Sequence, residues 1–157
     1  IQVWWGGLKH NGDLMLLLAH LLRENREWRD ARIELRSIAS NEHTKNTAGA
    51  YLARLLPEIR IDAHVEITLV EKDRTVREML IERAADADVV FLGLDPPEDE
   101  AKLEQYAERL EEMGKPLRTV FYVKNSSLFV GELIQTTRVG ETPKAAAKPA
   151  AEPAPGA

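Results

Sequence analysis

The chain has 157 residues, no cysteine, 21 basic against 26 acidic side chains, and a formal net charge of -5. That length suits about one domain with a real core. The composition excludes a disulfide framework and a thiol nucleophile, and gives no general attraction for nucleic acid or anionic lipid.

No apolar stretch approaches the roughly 20 residues that span a bilayer. The sequence opens in mid-strand, without Met and without a basic segment ahead of an apolar one. It is therefore no signal peptide, and a segment is expected to have preceded it.

The first 28 residues, IQVWWGGLKHNGDLMLLLAHLLRENREW, organise the rest. Ile1 to Trp5 reads as a buried strand, followed by a glycine- and asparagine-rich turn and a helix from near Asp13. Leu14 to Leu18 are unbrokenly apolar, which predicts a helix enclosed on nearly every side. Ala31, Ile33 and Leu35 then alternate with Arg32, Glu34 and Arg36, the period of a half-buried strand. A second helix is expected over Thr44 to Leu56, with its stripe on Ala48, Leu52, Leu55, Leu56 and Ile59, ended or kinked by Pro57. Val65, Ile67 and Leu69 alternate with His64, Glu66 and Thr68 as a third strand.

Thr75 with Glu78 has the form of a capping box, and the helix after it places Val76, Met79, Leu80 and Ala84 on one side. Val89 to Leu94 is a continuous apolar run of strand length, expected to be covered on both faces. An acidic loop, Asp95 to Glu100, leads to a helix carrying Leu103, Tyr106, Ala107, Leu110 and Met113. Gly114 and Pro116 stop that helix. Leu117 to Val123 is the fifth strand. From Ser126 the pattern weakens: Leu128, Phe129, Val130, Leu133 and Ile134 fit either a short helix, for which Ser127 offers a cap, or a sixth strand, with the helix favoured. Beyond Thr136 the Ala, Pro, Lys and Glu composition predicts disorder.

Five strands separated by four helices predict an α/β fold, a doubly wound and mainly parallel five-stranded sheet. The wholly apolar first and fourth strands belong at its centre, the alternating second and third toward an edge, giving the order 3-2-1-4-5. The domain is expected over 1–135 and the tail over 136–157. The switch point, where ligands bind in such sheets, then lies beyond the carboxyl ends of strands one and four.

Two loops meet there. Gly6, Gly7, Asn11 and Gly12 precede a helix but form neither a G-x-G-x-x-G fingerprint nor a P-loop, and Asp13 is expected at the cap where a phosphate would dock. A tight turn is the plainer reading. The second loop holds Asp95, Glu98, Asp99 and Glu100 with two prolines and no glycine. It would repel a nucleotide, and it lacks the spacing of a calcium loop. A solvated cluster at a helix start is the expectation.

His10, His20, His43 and His64 belong to four different elements, so neither a metal site nor a catalytic cluster is expected. Ser126-Ser127 has no partner of obvious role. No catalytic, cofactor or metal residue is assigned. Trp4 and Trp5, adjacent on a strand, are expected to pack under opposite helical layers. Trp28 with Arg29, in the charged stretch REWRDAR, is the candidate partner contact.

At V-W-W, the Gly-containing turn, N-G-D-L-M-L-L-L-A-H-L-L-R and W-R-D-A-R-I-E-L-R-S-I-A, the chain resembles a known family. It is similar to the cytosolic C-terminal domain of the cation-chloride cotransporters, the sodium-potassium-chloride and potassium-chloride symporters of the amino acid-polyamine-organocation superfamily. Val3, Trp4, Trp5, Gly12, Leu14, Leu17, Leu21, Leu22, Trp28, Arg32 and Ile33 carry the match. Ile61-Asp62, Ala84 to Leu94 and Leu117 to Val123 agree in kind, so the resemblance covers about residues 1 to 124. The family's acid-glycine-glycine turn is Asn11-Gly12-Asp13 here, and the segment after strand three lacks the long insertions of animal members, which points to a prokaryotic relative.

The resemblance implies a universal-stress-protein-like fold at the cytoplasmic face of the cell membrane, and a regulatory, non-enzymatic role. The implied partners are the transmembrane part of the same transporter, a preceding cytosolic subdomain and a second copy of the chain, without nucleic acid. Two other functions fit the layout. A free-standing universal-stress-type nucleotide binder would need a glycine-rich phosphate loop after strand four, where Asp-Pro-Pro-Glu-Asp stands. A receiver-like phosphoacceptor would need paired acids after strand one.

Overall fold

The computed structural model describes residues 1–6 and 9–125. The expected helix near Leu128 and the tail over 136–157 lie outside them, as does Gly7. The sheet has five parallel strands in the order expected, β3-β2-β1-β4-β5. They are β1 (Gln2–Trp4), β2 (Glu34–Ala39), β3 (His64–Leu69), β4 (Val90–Gly93) and β5 (Val120–Val123). Val3 stands between Leu35 of β2 and Phe91 of β4, so β1 is the centre. Strand β2 starts later than the alternation suggested, because Ala31 closes a turn with its N–H on the Trp28 carbonyl.

Helices α1 (Lys9–Glu24) and α2 (Glu42–Ile59) cover one face, and α3 (Val76–Ala84) and α4 (Leu103–Gly114) the other. Adjacent strand residues point to opposite faces, which splits the tryptophans as expected. Trp5 joins Val3, Met15, Leu16, Leu35 and Leu52 under α1 and α2. Trp4 joins Val90, Leu92, Leu80 and Ala84 on the α3 side. Each large side chain so enclosed contributes about 1.5–3 kcal/mol.

Three local expectations are corrected. Helix α1 buries one face only: Met15, Leu16 and Ala19 are enclosed, whereas Leu21 is 56% exposed. Pro57 does not end α2, which runs on to Ile59. Proline removes one N–H near the end of the helix, and Arg60 closes the helix instead in the left-handed conformation, its N–H on the Pro57 carbonyl. Val76 is 52% exposed, on the first turn of α3, while Met79, Leu80 and Ala84 are buried. The capping box ahead of it is complete: Thr75 Oγ1 accepts from the Glu78 N–H, and the Glu78 carboxylate accepts from the Thr75 N–H at 2.8 Å.

Candidate functional site at the carboxyl ends of the strands

The switch point falls between β1, which pairs with β2 on one side, and β4 on the other. The expectation of a glycine turn closed by Asp13 at a helix cap is corrected, because α1 already runs from Lys9. Asn11, Gly12 and Asp13 are therefore helical. Gly12 serves close approach: a Cβ there would lie 2.7 Å from Cη2 of the Trp5 indole, which rests against the helix backbone.

Asn11 is the fastener of this end of the sheet. It is buried, its Nδ2 donates to the Leu94 carbonyl at 2.7 Å, and its Oδ1 accepts from the Asn125 N–H at 2.8 Å. One side chain of α1 thus ties down the exits of β4 and β5. Three main-chain donors at this end of the sheet are committed. Trp5 N–H bonds the Arg36 carbonyl, Leu94 N–H the Val123 carbonyl, and Asp95 N–H the Tyr106 hydroxyl at 2.9 Å.

Beside Asn11 lies a crevice of about 360 Å³, walled chiefly by Trp4, Leu80, Leu92, Tyr106, Leu110 and Tyr122. The Tyr122 hydroxyl donates to the Leu110 carbonyl, and burial pushes its pKa up. What the crevice presents is a mainly apolar wall on which the Trp4, Asn11, Tyr106 and Tyr122 side chains each have a partner in the chain.

The acidic loop sits next to it. Asp99 spends one oxygen on the Ala101 N–H and lies 3.5 Å from the Lys102 amine, the arrangement of a helix-start cap. Among the described residues, no group of three or more His, Cys, Asp or Glu is placed to hold a metal ion. The expectation of four separate elements for the histidines is corrected, because α1 starts early enough to contain both His10 and His20, while His43 lies on α2 and His64 on β3. Ser126-Ser127 lies outside the described residues.

Trp28 ends a short 3-10 turn, Arg26–Trp28, which Asn25 caps. It is half-buried against the core under α1 and α2, while Arg29 is exposed. The candidate contact therefore offers an arginine and the edge of an indole that also serves the core.

Sequence reasoning missed a half-buried charged network on the α3 side of β2 and β3. Arg36 meets Glu34 at 2.9 Å and Glu66 at 2.8 Å, and Arg83 meets Glu66 at 3.1 Å and Glu71 at 3.5 Å. Arg74 extends it to Glu71 and Glu82. Burial alone would raise the Glu34 pKa, but hydrogen bonds from Arg36 and Gln2 hold it below the usual range. The alternating charges of β2 and β3 were the available signal.

No protein-family model matches the chain. It is similar to potassium/chloride cotransporter 3 of Caenorhabditis elegans, 28% identical over 90 residues, which make up 56% of this chain and 8% of that protein. The similarity supports a relation to the cation-chloride cotransporters, of which the chain spans a small part.

Proposed function

We propose that this chain is a non-catalytic regulatory domain of a membrane cation-chloride cotransporter. On this reading it hangs on the cytoplasmic face of the cell membrane, below transmembrane helices that carry the ions. The observation that carries the proposal is the similarity to a potassium/chloride cotransporter. Among the described residues no helix is long and apolar enough to cross a membrane, so the transport path would belong to another part of the same protein. The committed donors around Asn11 and the carboxylates of the neighbouring loop support a role in docking over one in chemistry.

Its partners would be the transmembrane part, a preceding cytosolic subdomain and a second copy. Trp28 and Arg29 are the residues proposed at a contact. The test is chloride-dependent rubidium uptake by the full-length protein, with and without this domain. Altered uptake at equal surface expression supports the reading. An unchanged rate, or a full-length protein without membrane helices, refutes it.

The second reading, a stand-alone nucleotide binder of the universal-stress type, draws on the 3-2-1-4-5 order and the crevice at the switch point. Titration with magnesium ATP separates the two.

A further inference from the structure

At the opposite, amino end of the sheet, a second cleft of about 440 Å³ opens between the end of α1, the turn into β2 and the start of β3. Its size is within the roughly 300–1,000 Å³ of small-ligand clefts. Arg23, Arg29, Arg32 and His64 line it, over a floor that includes Ile33 and Ala63. Asp62 is the carboxylate among the lining residues. In a chain of net charge -5, three guanidiniums around one cleft reverse the sign of the surface locally.

The arginines of the cleft meet no carboxylate, a condition they share with Arg26, Arg54, Arg60 and Arg109 among the described residues. What sets them apart is that the fold gathers three of them around one cleft. Arg36, Arg74, Arg77, Arg83 and Arg118 meet carboxylates. Arg23 is held in place differently, its Nη1 donating to the Asp62 main-chain carbonyl at 2.8 Å. Arg29 and Arg32 enter no ion pair and no side-chain hydrogen bond among the described residues. Guanidinium groups are planar forks that pair with carboxylate or phosphate oxygens two at a time. One tethered and two uncommitted forks around a part-apolar floor form a receptor for an oxyanion carried on a small organic body.

We propose that this cleft binds a small organic phosphate or carboxylate, with Arg29 and Arg32 holding the oxyanion and Ile33 and Ala63 lying under the body. The site rests on charge and geometry at the end of the sheet remote from the crevice, and it shares Arg29 with the contact proposed above.

The test is nuclear magnetic resonance of the full chain, following the arginine Nε–H signals during titration with inorganic phosphate and, separately, acetate at constant ionic strength. Saturation of the Arg29 and Arg32 signals by either anion supports the site, and the tighter anion identifies the group it takes. The double variant R29Q/R32Q alters exposed side chains, so its amide spectrum should match the parent and its affinity should fall roughly tenfold or more. Linear, unsaturable shifts with both anions overturn the proposal. So does saturation that R29Q/R32Q leaves intact, or that Arg109→Gln on α4 weakens equally.

Discussion

The two faces of the sheet are built differently. Among the described residues, the cluster under α1 and α2 holds fifteen buried side chains and the one under α3 and α4 holds seven. The first cluster reaches from half-buried Val65 and Ile67 of β3 across to Val123 of β5. On the second, the fully buried part of the apolar cluster reaches only to β1, with Ile38 of β2 packed half-buried against it, and the remaining ground over β2 and β3 is held by Glu34, Arg36, Glu66 and Arg83. A layer of ion pairs contributes less than a packed core, because desolvation offsets much of the Coulomb attraction. The first face should therefore carry most of the stability, leaving the second face freer to vary.

Substitutions can break that comparison. The largest effect is expected at Leu52, fully buried on α2. Leu52→Ala should cost about 2–5 kcal/mol in denaturant unfolding, a cavity effect with little collapse available. Gly12→Ala should come next, at about 1–3 kcal/mol, because its Cβ would drive into the Trp5 ring. A loss below 0.5 kcal/mol there, on a scale where surface changes fall, would mean that the indole yields freely.

On the second face, Thr75→Ala removes the capping box of α3 and should cost about 1 kcal/mol by the same measurement. The smallest effect belongs to Glu34. Its pKa is lowered in the folded chain, so its contribution is present above the unfolded value of about 4.3 and fades as pH falls through the folded one. Glu34→Gln should flatten the acid limb of the stability profile while leaving Leu52→Ala just as costly at neutral pH.

The same contrast explains what could be read from the residues alone. Strand order was legible because β1 and β4 touch both cores and are apolar apart from Gln2, whereas β2 and β3 alternate. The alternation itself carries the charged network of the second face. The capping box of Thr75 and Glu78 was legible because it is local. What failed was tertiary. Asn11-Gly12-Asp13 has the composition of a turn, and only the approach of Trp5 and the reach of Asn11 to Leu94 and Asn125 make it helix. Val76 obeys the spacing of the buried stripe, yet sits on the first turn of α3, where it stays exposed. The arginine cleft left no motif, since Arg23, Arg29, Arg32 and His64 meet only through the fold.

The central claim is that the carboxyl end of the sheet is fastened by Asn11 and its neighbours, and that the domain works by docking. Calorimetric titration of the chain with magnesium ATP tests it most directly. The account predicts no saturable heat, whereas saturation at micromolar ATP, abolished by a substitution in the crevice such as Leu92→Trp, would contradict it.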